Sequence, residues 1–149
     1  ENLTYFSRVT LCQLSLEYPS LIDAKFTIFA QGGEFIPSLE RFKGNWISYP
    51  EQMKYKYHIL IDGNACSYSR SGWRFFVNSL VFKPYSLWIQ WYYEAMKPYV
   101  HYVPVCSDLS DLSQKIHWAI QNDKKAKKIA KNARKFALTH ISMEPCLEY

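Results

Sequence analysis

The stretch Tyr57-His58-Ile59-Leu60-Ile61-Asp62-Gly63 constrains the fold more than any other part of the chain. Its aromatic and β-branched run reads as a β-strand over Tyr55–Ile61, and it stops at an Asp-Gly turn signal. The residues beyond that turn decide the architecture. Asp-Gly is a strong hairpin turn, yet no second β-type run begins directly after Gly63; Asn64-Ala65-Cys66-Ser67-Tyr68-Ser69-Arg70 comes instead. Composition alone leaves a hairpin and a ligand loop level, and the missing return strand favours the loop. Ala65, Cys66 and Ser67 are small enough for a ligand to approach the backbone. Ser67 and Tyr68 can donate hydrogen bonds. Arg70 offers a charged fork for a phosphate group, and a helix expected after it would turn free N–H groups to the same place.

The remaining periodicities agree with an α/β chain. Val9–Leu16 reads as a short helix stopped by Pro19, and Ala24–Phe29 as a short β-type run. From Gln31 to Pro50 the chain is punctuated by glycine and proline, with a helical turn expected near Pro37–Glu40. Ser71–Asn78 reads as a helix with Trp73, Phe76 and Val77 inward. Leu80–Lys83 reads as a strand closed by Pro84, Leu87–Met96 as an aromatic helix, and Val100–Val105 as another strand. Ser107-Asp108 supply N-cap chemistry for a helix that places Leu112, Ile116, Ala119 and Ile120 on one face. After a break at Asn122-Asp123 a second helix runs to about His140, with Ala126, Ile129, Ala130, Ala133, Phe136 and Ala137 as its apolar stripe. Strands alternating with helices indicate βαβ units and a parallel sheet, an α/β fold. Such sheets bind ligands beyond the carboxyl ends of their strands.

Composition narrows the function classes. At 149 residues with 48% hydrophobic and 17% aromatic content, the chain has enough apolar surface for a core and is not of disordered type. Glu1 is not an initiator methionine, which fits a chain beginning inside a longer protein; no segment at its start reads as a signal peptide, and no apolar run approaches the roughly 20 residues that cross a bilayer. The four cysteines, Cys12, Cys66, Cys106 and Cys146, form no C-x-x-C pair. They read as free thiols rather than a zinc or redox site, with two disulfides as the alternative. The net charge of +5 favours an anionic partner. Much of it sits at Lys124, Lys125, Lys127, Lys128, Lys131, Arg134 and Lys135, where an alanine-rich stripe favours packing onto the domain and leaves the lysines as a solvated face.

The combination Lys54-Tyr55-Lys56-Tyr57, Ile61-Asp62-Gly63-Asn64, Arg70, Ser79-Leu80-Val81-Phe82-Lys83, Gln90-Trp91-Tyr92-Tyr93 through Val105, Ser107–Leu112 and Asn122-Asp123 with Ala126, Ile129 and Ala130 resembles the CAP10-like glycosyltransferases, glycosyltransferase family 90. That family includes protein O-glucosyltransferases and bacterial lipopolysaccharide-type enzymes, and the Ile-Asp-Gly-Asn and Gln-Trp-Tyr-Tyr forms look more like the bacterial members. The resemblance covers about Arg8 to His140. It implies a single Rossmann-like domain over residues 1–149, a parallel sheet with flanking helices, as the carboxyl-terminal, donor-binding half of a GT-B enzyme, with Asn64, Ala65, Cys66, Ser67, Tyr68 and Arg70 against a UDP-sugar. Arg8 matches a donor-contacting arginine that precedes the first helix of that half. The resemblance further implies no metal or other cofactor and a glycan, lipopolysaccharide or protein hydroxyl as acceptor. The family's catalytic carboxylate lies in the amino-terminal half, so no catalytic residue is assigned here and a further amino-terminal domain is expected. The implied compartment is the cytoplasm, peripheral to the inner membrane, for a bacterial chain and the endoplasmic reticulum lumen for a eukaryotic one.

Other residues have competing readings. Asp62 suits a base or a ribose contact, or a plain turn. Tyr92, Tyr93 and Trp91 suit stacking on uracil, or core. Lys83 suits a phosphate at a strand end. His101 reads as a packed strand residue and His117 as exposed on a helix. Two further functions stay open: a non-catalytic remnant or nucleotide-binding module, and a basic binder of anionic lipid or nucleic acid, although no nucleic-acid module accompanies the lysine-rich helix.

Overall fold

The computed structural model describes residues 3–29, 37–63 and 72–142. Its elements, in order, are α1 (Leu3–Glu17), a 3-10 turn (Pro37–Phe42), α2 (Tyr49–Gln52), β1 (Tyr57–Ile59), a second 3-10 turn (Gly72–Phe75), β2 (Leu80–Pro84), β3 (Val103–Val105), α3 (Leu112–Gln121), α4 (Asp123–Phe136) and a π-helical turn (Ala137–Ile141). The three strands form one parallel sheet in the order β1-β2-β3. Tyr57 pairs with Leu80 and Phe82 with Val103. Among the described residues the next strand after β1 is β2, which pairs with it in parallel, so the carboxyl ends of all three strands meet at one edge.

Alternation along the strands builds two cores. Leu80, Phe82, Val103 and Val105 face Leu11 of α1, Leu112, Ile116 and Ala119 of α3, and Ala126 and Ile129 of α4. On the opposite face Leu60 and Val81 meet Phe75, Tyr92, Met96, Ala133, Phe136, Ala137 and Ile141. β2 lies between the other two strands and is buried except at Lys83, as its apolar start Leu80-Val81-Phe82 requires. Each large side chain so buried contributes roughly 1.5–3 kcal/mol. The expected stripe of α4 is buried at every position; its alanines let the helix lie close and turn the lysines to solvent.

Several expected elements differ. Ala24–Phe29 is no strand: Phe26 makes one bridge to Lys43, bonding Phe42 and Gly44 at 2.9 and 2.8 Å, because the end of a 3-10 turn offers no further ladder. Ser71–Asn78 is not a full helix. Within it the four-residue turn Gly72–Phe75 buries Phe75, Trp73 is only half-buried, and Asn78 takes a left-handed φ of 58°. Leu87–Met96 is a series of turns. The Ser86 hydroxyl accepts from the Trp88 amide at 3.0 Å, and a run of aromatic and β-branched residues has little helix propensity to oppose that. Pro84 lies within β2 and does not merely close it. Ser107-Asp108 do not cap α3. Asp108 accepts from Ser110, while Asp111 stands at the cap position and spends its carboxylate on the Cys106 amide at 2.9 Å. Ile120 is 49% exposed, at the margin of the α3 face. The short α2 stands where only irregular chain was expected. A capping box between Ser48 and Glu51, with Pro50 in its first turn, sets it.

Candidate functional site

The edge where the strands end is closed by α1. Arg8 donates from Nε to the Asp62 carbonyl at 2.9 Å, three residues past β1. Its neighbour Ser7 donates from Oγ to the Ser107 carbonyl at 3.3 Å, two residues past β3. One turn of helix thus straps the ends of both outer strands. Gly63 is what lets the Arg8 side chain lie there: a Cβ at that position would stand 2.6 Å from Arg8 Nη2 and 3.0 Å from Cζ. The guanidinium is solvent-exposed yet fixed by its Nε to backbone, an arrangement suited to presenting a planar cation to an anion. Arg8 stands inside α1, not ahead of it as expected.

A second guanidinium reinforces the charge. Arg74, in the 3-10 turn, is half-buried, and burial pushes its pKa down from the ordinary value; Arg8 pushes the same way, while Tyr49 opposes. Its Cζ lies 5.0 Å from the centre of the Trp73 ring. Below it, burial pulls His58 down to about 4, and Arg74 adds to that. His58 Nε2 is buried with no hydrogen-bond partner among the described residues, and its ring meets Trp73 edge-on at 5.2 Å. On α1, burial raises the Cys12 thiol to about 11 although Arg8 opposes the rise. Near pH 7 the β1 region therefore carries two positive charges, Arg8 and Arg74, with a neutral His58 imidazole, while the Cys12 thiol is neutral in its own cluster with Leu39 and Phe42.

The glycosyl transferase family 90 model matches residues 2–149. The chain belongs to that family. It is 37% identical over 137 residues to protein O-glucosyltransferase 2 of Danio rerio, covering 90% of this chain and 26% of the relative. It is 39% identical over 132 residues to protein O-glucosyltransferase 3 of Homo sapiens, covering 87% and 25%. It is 43% identical over 105 residues to uncharacterized protein 179R of Invertebrate iridescent virus 6, covering 66% and 9%. The chain spans about a quarter of the length of the two O-glucosyltransferases.

Within this family 90 chain the structure places Arg8 at the strand edge, on the Asp62 carbonyl. Asn64, Ala65, Cys66, Ser67, Tyr68 and Arg70 lie outside the described residues. The helix expected to aim N–H groups at them is replaced by the four-residue turn Gly72–Phe75, too short for a substantial macrodipole. Asp62 contributes its carbonyl to Arg8. Lys83 is drawn onto aromatic faces, with Nζ 4.2 Å from the Tyr93 ring centre and 5.9 Å from that of Tyr102. Tyr92 is core, at 1% exposure, and Tyr93 packs beside it, whereas Trp91 is 47% exposed. His101 precedes β3; its Nδ1 accepts from the Lys97 amide at 3.0 Å and burial lowers its pKa. His117 is exposed. Cys12 and Cys106 are free thiols. Arg74 was missed by sequence reasoning because a helix over Ser71–Asn78 turned other residues inward. The available signal was a lone cation within the apolar run Trp73–Val77.

Proposed function

We propose that this chain is the donor-binding portion of a family 90 glycosyltransferase of GT-B type, which moves a sugar from a UDP-sugar to a protein or glycan hydroxyl. The observation that carries the reading is the Arg8 guanidinium, fixed on the Asp62 carbonyl at the carboxyl edge of a parallel sheet. That edge is where α/β sheets receive nucleotides. When the glycosidic bond of a nucleotide sugar breaks, negative charge grows on the departing diphosphate, and a preorganised guanidinium stabilises it without moving. Arg74 adds to the positive potential, and the family resemblance assigns Asn64 to Tyr68 and Arg70 to the donor. The general base that deprotonates the acceptor is assigned to no residue of this chain. Two curated relatives are named as protein O-glucosyltransferases, which favours a protein hydroxyl over lipopolysaccharide as acceptor and glucose as sugar.

Calorimetry of the folded chain with UDP, UDP-glucose and glucose tests this. Binding of UDP and UDP-glucose with no response to glucose supports the reading. Absence of a UDP signal at millimolar ligand removes it.

A further inference from the structure

At the other end of the sheet the chain forms an open cavity of about 610 Å³. Lys127, Lys131, Arg134 and Lys135 of α4 line it together with Asn78 and Thr139, and no carboxylate among the described residues does. Asn78 lies two residues ahead of β2, so the cavity and the Arg8 edge are separated by at least the length of that strand, about 13 Å at 3.3 Å per residue. The cavity is built, not merely a row of side chains on a helix. Arg134 donates from Nε to the Phe76 carbonyl at 3.1 Å, joining α4 to the turn before β2. The left-handed Asn78 redirects the chain into the strand beside it. Among the described residues, Lys131, Arg134 and Lys135 have no carboxylate within ion-pair distance; Lys127 shares Asp123 with Lys56, at 2.8 and 2.6 Å. Cations in the last turn of a helix, here Arg134 and Lys135, answer its dipole. Lys127 and Lys131 stand earlier and have no such reason to be there.

We propose that this cavity is a second anion site, separate from the donor edge, which takes a compact polyanion bearing two or more phosphate groups. Lys131, Arg134 and Lys135 on one concave surface, beside Leu138 and the Asp123-paired Lys127, match more than one phosphate, and the absence of acids among the described lining residues leaves the charge of these three available. The same chemistry is offered by a soluble polyphosphorylated molecule and by the headgroup of a phosphorylated lipid.

The test uses the full chain, with inositol hexakisphosphate as the soluble probe and vesicles containing a phosphoinositide as the lipid probe, at low and at physiological salt. The parent protein is expected to bind the soluble probe, more weakly as salt rises. Lys131→Glu with Lys135→Glu is expected to weaken it at least tenfold, and Arg8→Ala to leave that binding unchanged. Lys124→Glu with Lys125→Glu makes the same charge change outside the cavity and is expected to alter it less than threefold. Vesicle binding displaced by the soluble probe assigns the site to a lipid headgroup; soluble binding without vesicle binding assigns it to a free ligand. Equal loss in the two charge-reversal variants, or no binding by the parent at low salt, overturns the proposal. Neither outcome bears on UDP binding at the Arg8 edge.

Discussion

Arg8 and the lysines of α4 carry the same sign of charge and are held in opposite ways. Arg8 is tied to a backbone carbonyl, lies where only a glycine leaves room, and shares its field with the half-buried Arg74. The lysines of α4 are exposed on the outer face of a helix, and of the cations there it is Arg134 that is tied to backbone, at the Phe76 carbonyl. Burying Arg74 near Arg8, above an imidazole with an unpartnered nitrogen, costs folding free energy. What it yields is a fixed positive potential at a strand edge. The α4 lysines cost little, but beyond about 8 Å their field is screened at physiological salt. Fixed charge suits a site that must meet a transition state; solvated charge suits attraction and solubility.

The largest effect that separates the two regions is on nucleotide affinity. Arg8→Ala should weaken UDP binding about 30-fold, roughly 2 kcal/mol for a charged hydrogen-bonded contact, while the melting temperature moves little. Gly63→Ala should approach the same loss with Arg8 still present, because the new methyl group occupies the guanidinium's position. Full UDP affinity in both variants, measured by calorimetry, would show that the strand edge is not the donor site.

A slightly smaller effect appears on acidification. His58 has its pKa lowered from 6.5 to about 4, chiefly by burial. Above pH 6.5 neither folded nor unfolded chain binds this proton, and the stability is fully present. As pH falls through 6.5 the unfolded chain takes the proton first, so stability is lost progressively down to about pH 4. Between pH 7.5 and pH 5 the loss should be about 2 kcal/mol from this residue. His101, also lowered by burial, adds in the same direction. Urea unfolding of His58→Phe at both pH values checks this: the variant should lose markedly less stability on acidification than the parent.

How much of this could be read from sequence differs by region, for physical reasons. The stripe of α4 was legible because the 3.6-residue repeat is strong and one face is almost wholly alanine and isoleucine. β2 was legible because a buried parallel strand is a short continuous apolar run. The order of residues at Asp62-Gly63 favoured a parallel sheet over a β1 hairpin, and Tyr57 does pair in parallel with Leu80. Leu87–Met96 misled because aromatic residues at near-helical spacing look like a buried face, whereas Ser86 starts a turn and Leu87 and Ile89 remain 79% and 78% exposed. The Arg8 contact was invisible in the residues themselves. It joins positions 54 apart in the chain and no local pattern encodes it; the family resemblance singled out Arg8 only as a donor contact.

Arg74 sharpens the comparison from the side of the held charges. Replacing it with methionine keeps the apolar stem and removes the cation. The fold should then change in stability by less than about 1 kcal/mol, since the lost ring contact is offset by relief of burial and of repulsion from Arg8. The His58 titration, followed by NMR, should move up toward its ordinary value, and UDP affinity should fall about threefold to fivefold through the weaker potential. A loss of stability well beyond 1 kcal/mol would mean that Arg74 is there to hold the turn, and the field at β1 would rest on Arg8 alone.

The smallest effect comes from the solvated side. Lys124 and Lys125 fall in the first turn of α4, where the helix dipole is positive and a cation is unfavourable. Replacing both with glutamate reverses that interaction and reduces repulsion among the remaining lysines. Stability should therefore rise by roughly 0.5 kcal/mol, a shift of a few degrees at most in the melting temperature, and UDP affinity should stay within twofold of the parent at physiological salt. Asp123, already holding Lys56 and Lys127, tempers the gain by adding a like charge beside the new glutamates. If the double variant is instead destabilised, or loses UDP binding in step with Arg8→Ala, the α4 cations are coupled to the strand edge, and the separation between held and solvated charge does not stand.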